Sequence, residues 1–198
     1  MFPQRDAGMS RHARSLQPWS AVMLACTLLF AFQAGGAGKA FRIDEVQVVT
    51  LKDELRLHAK IHYGLSAPVL EALENGIPMP FELEVRVKSI HRWARDRTVA
   101  GSRQVHLLSY HALSGQYLLE DLNASSMTAF PDLQSALMYQ GRIVSMHIAR
   151  TSSLDRDRAH VVQLRSRLLV GRLPLPLRME SFFSPSWRLE SGWYEWPL

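Results

Sequence analysis

From Asp53 to Tyr63 the chain reads DELRLHAKIHY, with Leu55, Leu57, Ala59, Ile61 and Tyr63 at one parity and Glu54, Arg56, His58, Lys60 and His62 at the other. A period of two over this length predicts a half-buried strand, because successive side chains of extended backbone point to opposite faces. FRIDEVQVV before it and FELEVRVKSIHRW after it repeat the pattern. In the latter, Phe81, Leu83, Val85, Val87 and Trp93 are expected to face inward, and Glu82, Glu84, Arg86, Lys88 and Arg92 to face water. RQVHLLSYHAL, GQYLLEDL, GRIVSMHIA, AHVVQLRSRLLV, LRMESFF and WRLESGWYEW supply further predicted strands. Many strands joined by short turns predict a mainly β protein, an antiparallel β-sandwich or open barrel.

Two segments break the alternation and predict two short helices. SAPVLEALENG offers Ser66 as N-cap, Pro68 in the first turn, Val69, Leu70 and Leu73 on one side, and Gly76 as the stop. FPDLQSALMYQG has Pro131 near its start, Leu133, Ala136 and Leu137 on one face, and Gly141 at its end. GRLPLPLRM reads as an edge or a linker between strands, since Pro174 and Pro176 have no N–H to give a ladder. With no internal repeat or low-complexity tract, residues 41–198 are read as one β-rich domain.

The first forty residues stand outside this pattern. Arg5, Arg11 and Arg14 precede an apolar run from Ala21 to Phe32, and Gly38 and Ala40 follow with small-x-small spacing. This is the layout of a secretory signal peptide over residues 1–40, and the apolar run falls short of the roughly 20 residues that span a bilayer. The expected location is the periplasm, with a membrane anchor as the outcome if the leader is retained. Cys26, the only cysteine, lies inside the run, so the remainder has no disulfide, thiolate metal site or thiol nucleophile. The leader holds Arg5, Arg11, Arg14 and Lys39 against Asp6, so of the net +5 only +2 belongs to residues 41–198. Nothing in that balance calls for nucleic acid as a partner.

Residues able to carry chemistry are scattered. His58 and His62 would lie about 13 Å apart on a strand and cannot share an ion. His106 and His111 have opposite parity, and His91, His147 and His160 have no close-spaced partner. Glu120 with Asp121, and Asp155 with Asp157, sit beside predicted turns, as do SSLDRDR and NASS. No Gly-x-Ser-x-Gly elbow is present. Accordingly no catalytic residue, metal or cofactor is expected, and a non-enzymatic role is the reading. The visible cluster is basic: Arg86, Lys88, Arg92, Arg95, Arg97 and Arg103 flank the turn RWARDRTVAGSR and are expected to make a positive hairpin tip. Such a tip would meet anionic headgroups or an acidic protein, or simply guard an edge strand.

The segments ENGIPMPFELEV, YHALSGQYLLEDL, FPDLQSAL and LPLPLRMESFFSPSWRLESGWYEW together resemble the exported proteobacterial family catalogued as domain of unknown function 4390. The most specific element is the closing Ser-x-x-Trp-x-Leu-x-Ser-Gly-Trp pattern, here Ser184, Trp187, Leu189, Ser191, Gly192 and Trp193. The resemblance runs from about Phe41 to Trp196. It implies a small exported protein, carries no catalytic residue, and places its genes near a membrane-bound sensor kinase of the nitrogen-regulation type.

In the closing segment Trp187, Leu189 and Trp193 are expected to close the core, with Trp193 mainly buried. Tyr194 and Trp196 then take the other face, where they cover a second sheet surface or a neighbouring loop, or else join the basic residues as a candidate interaction surface. The expected function is binding of another cell-envelope protein, such as the extracytoplasmic part of a sensor kinase, by a strand edge or an exposed surface. Membrane contact is expected only through an uncleaved leader or the basic hairpin. The alternative is a periplasmic carrier of a lipid or other apolar ligand.

Overall fold

A computed structural model describes residues 40–91 and 95–198. The reading of residues 1–40 as a leader therefore lies outside the described residues but for Ala40, and so do the expectations for Arg92 and Trp93. In chain order the elements are β1 (Phe41–Leu51), β2 (Glu54–Tyr63), α1 (Ala67–Glu74), β3 (Met79–Ser89), β4 (Arg97–His111), β5 (Gln116–Asp121) and β6 (Ser126–Phe130). Then come α2 (Leu133–Gly141), β7 (Arg142–Arg150), β8 (His160–Leu168), α3 (Leu175–Phe183) and β9 (Tyr194–Pro197). They form two antiparallel sheets, a small one in the order β1-β2-β7 and a large one in the order β6-β5-β4-β3-β8-β9. The fold is a β-sandwich, as the alternation predicts, and not a closed barrel. Among the described residues no helix is long and apolar enough to cross a membrane.

The inward parities of β2 and β3 make the core. Leu55, Leu57, Ala59, Ile61 and Tyr63 are all buried against Phe81, Leu83, Val85 and Val87, with Val162, Leu164 and Leu168 of β8 beside them. Phe41, Tyr63 and Phe81 stack with ring centroids 4.8 to 5.8 Å apart. The Tyr63 hydroxyl accepts a hydrogen bond from Ser166 Oγ at 3.1 Å, which ties the small sheet to the large one. Burial pushes that phenol up to about 12, against the opposing hydrogen bond with Ser166. The small sheet is too narrow to cover the large one, and α2 fills part of the difference, packing beside β2, β5 and β6.

Local signals explain most boundaries. Lys52 and Asp53 both take positive φ, the mirror-image turn that suits a two-residue hairpin between β1 and β2. Asp132 caps α2, its carboxylate accepting from the Ser135 N–H at 2.8 Å. Ser66 precedes α1 as expected but does not cap it; its hydroxyl donates instead to the Ser186 carbonyl at 2.7 Å.

Three expectations are corrected, and one strand is added. LRMESFF is not a strand but the helix α3, so the described residues hold three helices rather than two. Pro176 falls in its first turn, where a missing N–H costs nothing, and Leu177 and Ser181 turn inward at a spacing of four. SMTAF, too short and mixed to stand out in the pattern, pairs with β5 as β6. WRLESGWYEW is not one strand: Pro185–Trp187 form a 3-10 turn, and regular pairing with β8 is confined to the last four residues of β9 and one bridge at Glu190. Finally, Glu82 and Glu84 do not face water; both are buried.

Candidate functional site

The outward parity of β3 runs Glu82, Glu84, Arg86, Lys88, and β3 lies in the middle of the large sheet between β4 and β8. Register puts Arg103 and Arg165 directly on either side of Glu84, and Arg167 beside Glu82. Both Glu84 oxygens are engaged, Oε1 by Arg86 at 2.6 Å and Arg103 at 3.3 Å, and Oε2 by Arg165 at 2.9 Å. Glu82 takes Arg103 at 3.0 Å and Arg167 at 2.6 Å. Burial pushes the Glu84 carboxyl up, but hydrogen bonds from Arg165, Arg86 and Arg103 together outweigh it and hold the group at about 2. The arms of four arginines therefore lie over two carboxylates, which is why residues at a solvent-facing parity have almost no access to solvent.

Trp193 completes this face. Its ring lies between the guanidinium groups of Arg86, 4.6 Å from the ring centre, and Arg165, 4.4 Å away. The expectation that Trp193 closes the core is overturned: it is half-buried on the outer face, while Trp187 and Leu189 are in the core as expected. The cause is Gly192, whose φ of +69° puts the chain in a conformation that residues with a Cβ resist and breaks the alternation. Beyond it Tyr194 lies opposite Leu164 and Trp196 opposite Val162, so both turn toward the core and pack against it. Tyr194 and Trp196 are thus not an exposed interaction surface.

The expected basic cluster is also divided. Arg86 and Arg103 are committed to Glu84 and Glu82, whereas Lys88, Arg95 and Arg97 lie toward the β3–β4 hairpin tip, Arg95 and Arg97 exposed. Arg92 is outside the described residues. The paired carboxylates occupy separate turns. Asp121 accepts the N–H groups of Asn123 and Ala124 at 2.8 and 3.1 Å after β5, and Asp155 accepts that of Asp157 at 3.1 Å before β8.

The outer face of the small sheet is different. His58, Lys60 and His62 of β2 stand opposite Gln47, Glu45 and Arg42 of β1 and, at Lys60, Arg142 of β7. Together with Val144 and the flank of α2 (Leu133, Leu137 and Met138), they line an open groove of about 1050 Å³. Met138 and Val144 are 67% and 62% exposed, so large apolar surface is presented to solvent along one wall while the floor carries polar and charged groups. Gly141 shapes this groove. A Cβ there would collide with the Ile61 carbonyl oxygen, so only glycine lets the end of α2 sit down on β2. A register slip between Leu57 and Ala59, with Ser145 at φ +54°, carries β7 past this point. Gly141 is conspicuous in the sequence as a helix stop, but nothing local shows that it abuts another strand.

Residues 38–197 match the family model described as Domain of unknown function (DUF4390). No curated protein and no solved structure matches the chain.

Proposed function

We propose a binding role for this chain, which belongs to the DUF4390 family: it is an exported, non-enzymatic protein that engages another cell-envelope protein through the groove between the small sheet and α2. The observation that carries the reading is the contrast within that groove. Its wall presents Met138 and Val144 to solvent, and its floor offers His58, Lys60 and Arg142 as hydrogen-bonding groups. An extended segment of a partner would bury an apolar side chain against Leu133, Leu137, Met138 and Val144 and pair its polar groups along β2. The leader-like first forty residues support a periplasmic location. A sensor kinase with an extracytoplasmic region is the kind of partner that the resemblance of the closing segment suggests.

The test is recovery of partners by the tagged full chain from envelope extract after mild crosslinking, beside the double variant Met138→Asp/Val144→Asp. Both positions are exposed, so the variant should fold and lose the partner. Recovery of the parent alone, or an unchanged partner on the variant, would sink the proposal. Loss instead on replacing Arg95 and Arg97 would move the site to the hairpin tip.

A second reading is favoured by the groove's size and apolar wall: a bound lipid or other apolar ligand, for which pockets of roughly 300–1,000 Å³ are usual. Native mass spectrometry of protein taken from envelope distinguishes it, since a carrier would arrive with added mass that the double variant lacks.

A further inference from the structure

The helix α3 is amphipathic in the unusual sense that its larger apolar face points away from the protein. Leu177 packs against the core and Ser181 is buried, its hydroxyl donating to the Arg178 carbonyl at 2.7 Å. On the opposite side Leu175, Met179, Phe182 and Phe183 follow one another at the spacing of a single helical face and are 68%, 58%, 66% and 85% exposed. Four large apolar side chains in nine residues form a continuous patch rather than the scattered singles that any surface carries. The helix is held firmly in that orientation: Glu180 accepts the Trp187 indole N–H at 3.3 Å, and Trp187 itself is in the core.

Two further observations say what covers this patch. The first is charge. Arg172, three residues before α3, and Arg188, five residues after it, are exposed, while Arg178 turns inward to donate to the Leu173 carbonyl at 3.3 Å; Glu180 is the single carboxylate from residue 172 to 188. An apolar stripe rimmed by arginine suits the boundary between acyl chains and anionic headgroups. The second is where the described chain begins. Gly64 N–H donates to the Ala40 carbonyl at 2.7 Å, and two residues later Ser66 donates to the carbonyl of Ser186, which lies three residues beyond the end of α3. The N-terminal segment thus joins the domain at the end of the sandwich that carries α3. Only residues 33 to 39 separate Ala40 from the apolar run Ala21–Phe32, a reach of at most about 28 Å.

We propose that α3 docks on the surface of an anionic phospholipid bilayer, its Leu175, Met179, Phe182 and Phe183 entering the interface. A chain that keeps the apolar N-terminal segment is held at the membrane from one point, and α3 supplies the second contact, fixing which face of the sandwich looks down at the lipid. The small-sheet groove is then presented at a defined height above the membrane. Membrane docking through α3 does not depend on the groove having a partner.

The experiment uses the full chain with Cys26→Ser, carrying a single new cysteine labelled with bimane, in vesicles of phosphatidylcholine and phosphatidylglycerol that contain nitroxide-bearing lipid. Phe183→Cys reports on α3. Asp157→Cys, exposed before β8 at the opposite end of the large sheet, is the control. The expected result is quenching at position 183 at least threefold stronger than at 157, falling when phosphatidylglycerol is replaced by phosphatidylcholine. Both variants are first shown by thermal melting to be folded. Equal quenching at the two positions would overturn the proposal. So would a label at 183 that is shielded without being quenched while crosslinking traps a dimer, since a second copy would then be what covers α3.

Discussion

The outer faces of the two sheets are built from the same kind of strand and end in opposite states. On β3 the outward residues Glu82 and Glu84 meet arginines of both neighbours, Arg86 pairs with Glu84 of its own strand, and the face closes on itself under Trp193. On β2 the outward residues His58, Lys60 and His62 meet a mixed set, and α2 leaves a groove beside them rather than a lid over them. The difference lies in composition and not in place, since β2 and β3 each have one strand on either side. A strand flanked by arginine on both sides can desolvate its carboxylates because each oxygen is paired, whereas His58, Lys60 and His62 face Gln47, Glu45 and Arg42 on one side and, at Lys60, Arg142 on the other, a set that does not close over them. A face that satisfies itself has little left to offer a partner, which is why the groove and not the arginine-rich face is the better site.

The largest effect expected from breaking this contrast is at Glu84. Glu84→Ala would leave Arg165 and its neighbours facing each other over an empty centre, and loss of one side of a buried ion pair costs roughly 3 to 5 kcal/mol. Because Arg86 and Arg103 can swing into water, the lower end, about 3 kcal/mol, is expected as a shift in the denaturant midpoint. No change in midpoint would mean that the network contributes nothing. Acid should do the same more gradually. The Glu84 carboxyl sits at about 2 in the folded protein against 4.5 when unfolded, so its contribution is fully present above pH 4.5 and is lost as pH falls from 4.5 toward 2. That is worth on the order of 3 kcal/mol, and Glu84→Gln should flatten this part of the stability profile.

Smaller still is Trp193. Two partly exposed cation–π contacts contribute about 1 to 2 kcal/mol in all, so Trp193→Ala should lower stability far less than the roughly 3 to 5 that removing a core indole costs. A loss as large as that would show that the ring has a buried role its position does not reveal. Smallest is the groove pair Met138→Asp/Val144→Asp, where stability should stay within about 0.5 kcal/mol of the parent, the range of exposed substitutions. A large loss there would mean that these side chains support the fold, and the groove would cease to be a separable site.

Much of this protein is legible in its amino-acid order. Alternation along β2, β3 and β8 marks strands and their core residues because the two-residue period of extended backbone is a local property. Pro68 with Gly76, and Pro131 with Gly141, bracket α1 and α2 through requirements on φ and on unpaired N–H groups that a few neighbouring residues meet or fail. Trp187 and Leu189 are in the core as expected, although Trp187 reaches it from a 3-10 turn and not from a strand.

What the chain order leaves open depends on partners far along the chain. Parity assigns Glu84 to the outer face but cannot say that Arg103 and Arg165 stand on either side of it, 19 and 81 residues away, so burial there is decided by register. LRMESFF alternates well enough to pass for a strand, and becomes α3 because Leu177 and Ser181 face the core while Met179 and Phe183, of the same strand parity, face away from it, as a helix allows. Trp193 turns outward because one residue, Gly192, adopts a positive φ that its neighbours permit and tertiary pairing of β9 demands. Local order thus determined which segments are strands and which residues seek the core. The closed arginine face, the open groove and the outward-facing α3 came from tertiary contacts, since each depends on which distant side chain stands opposite.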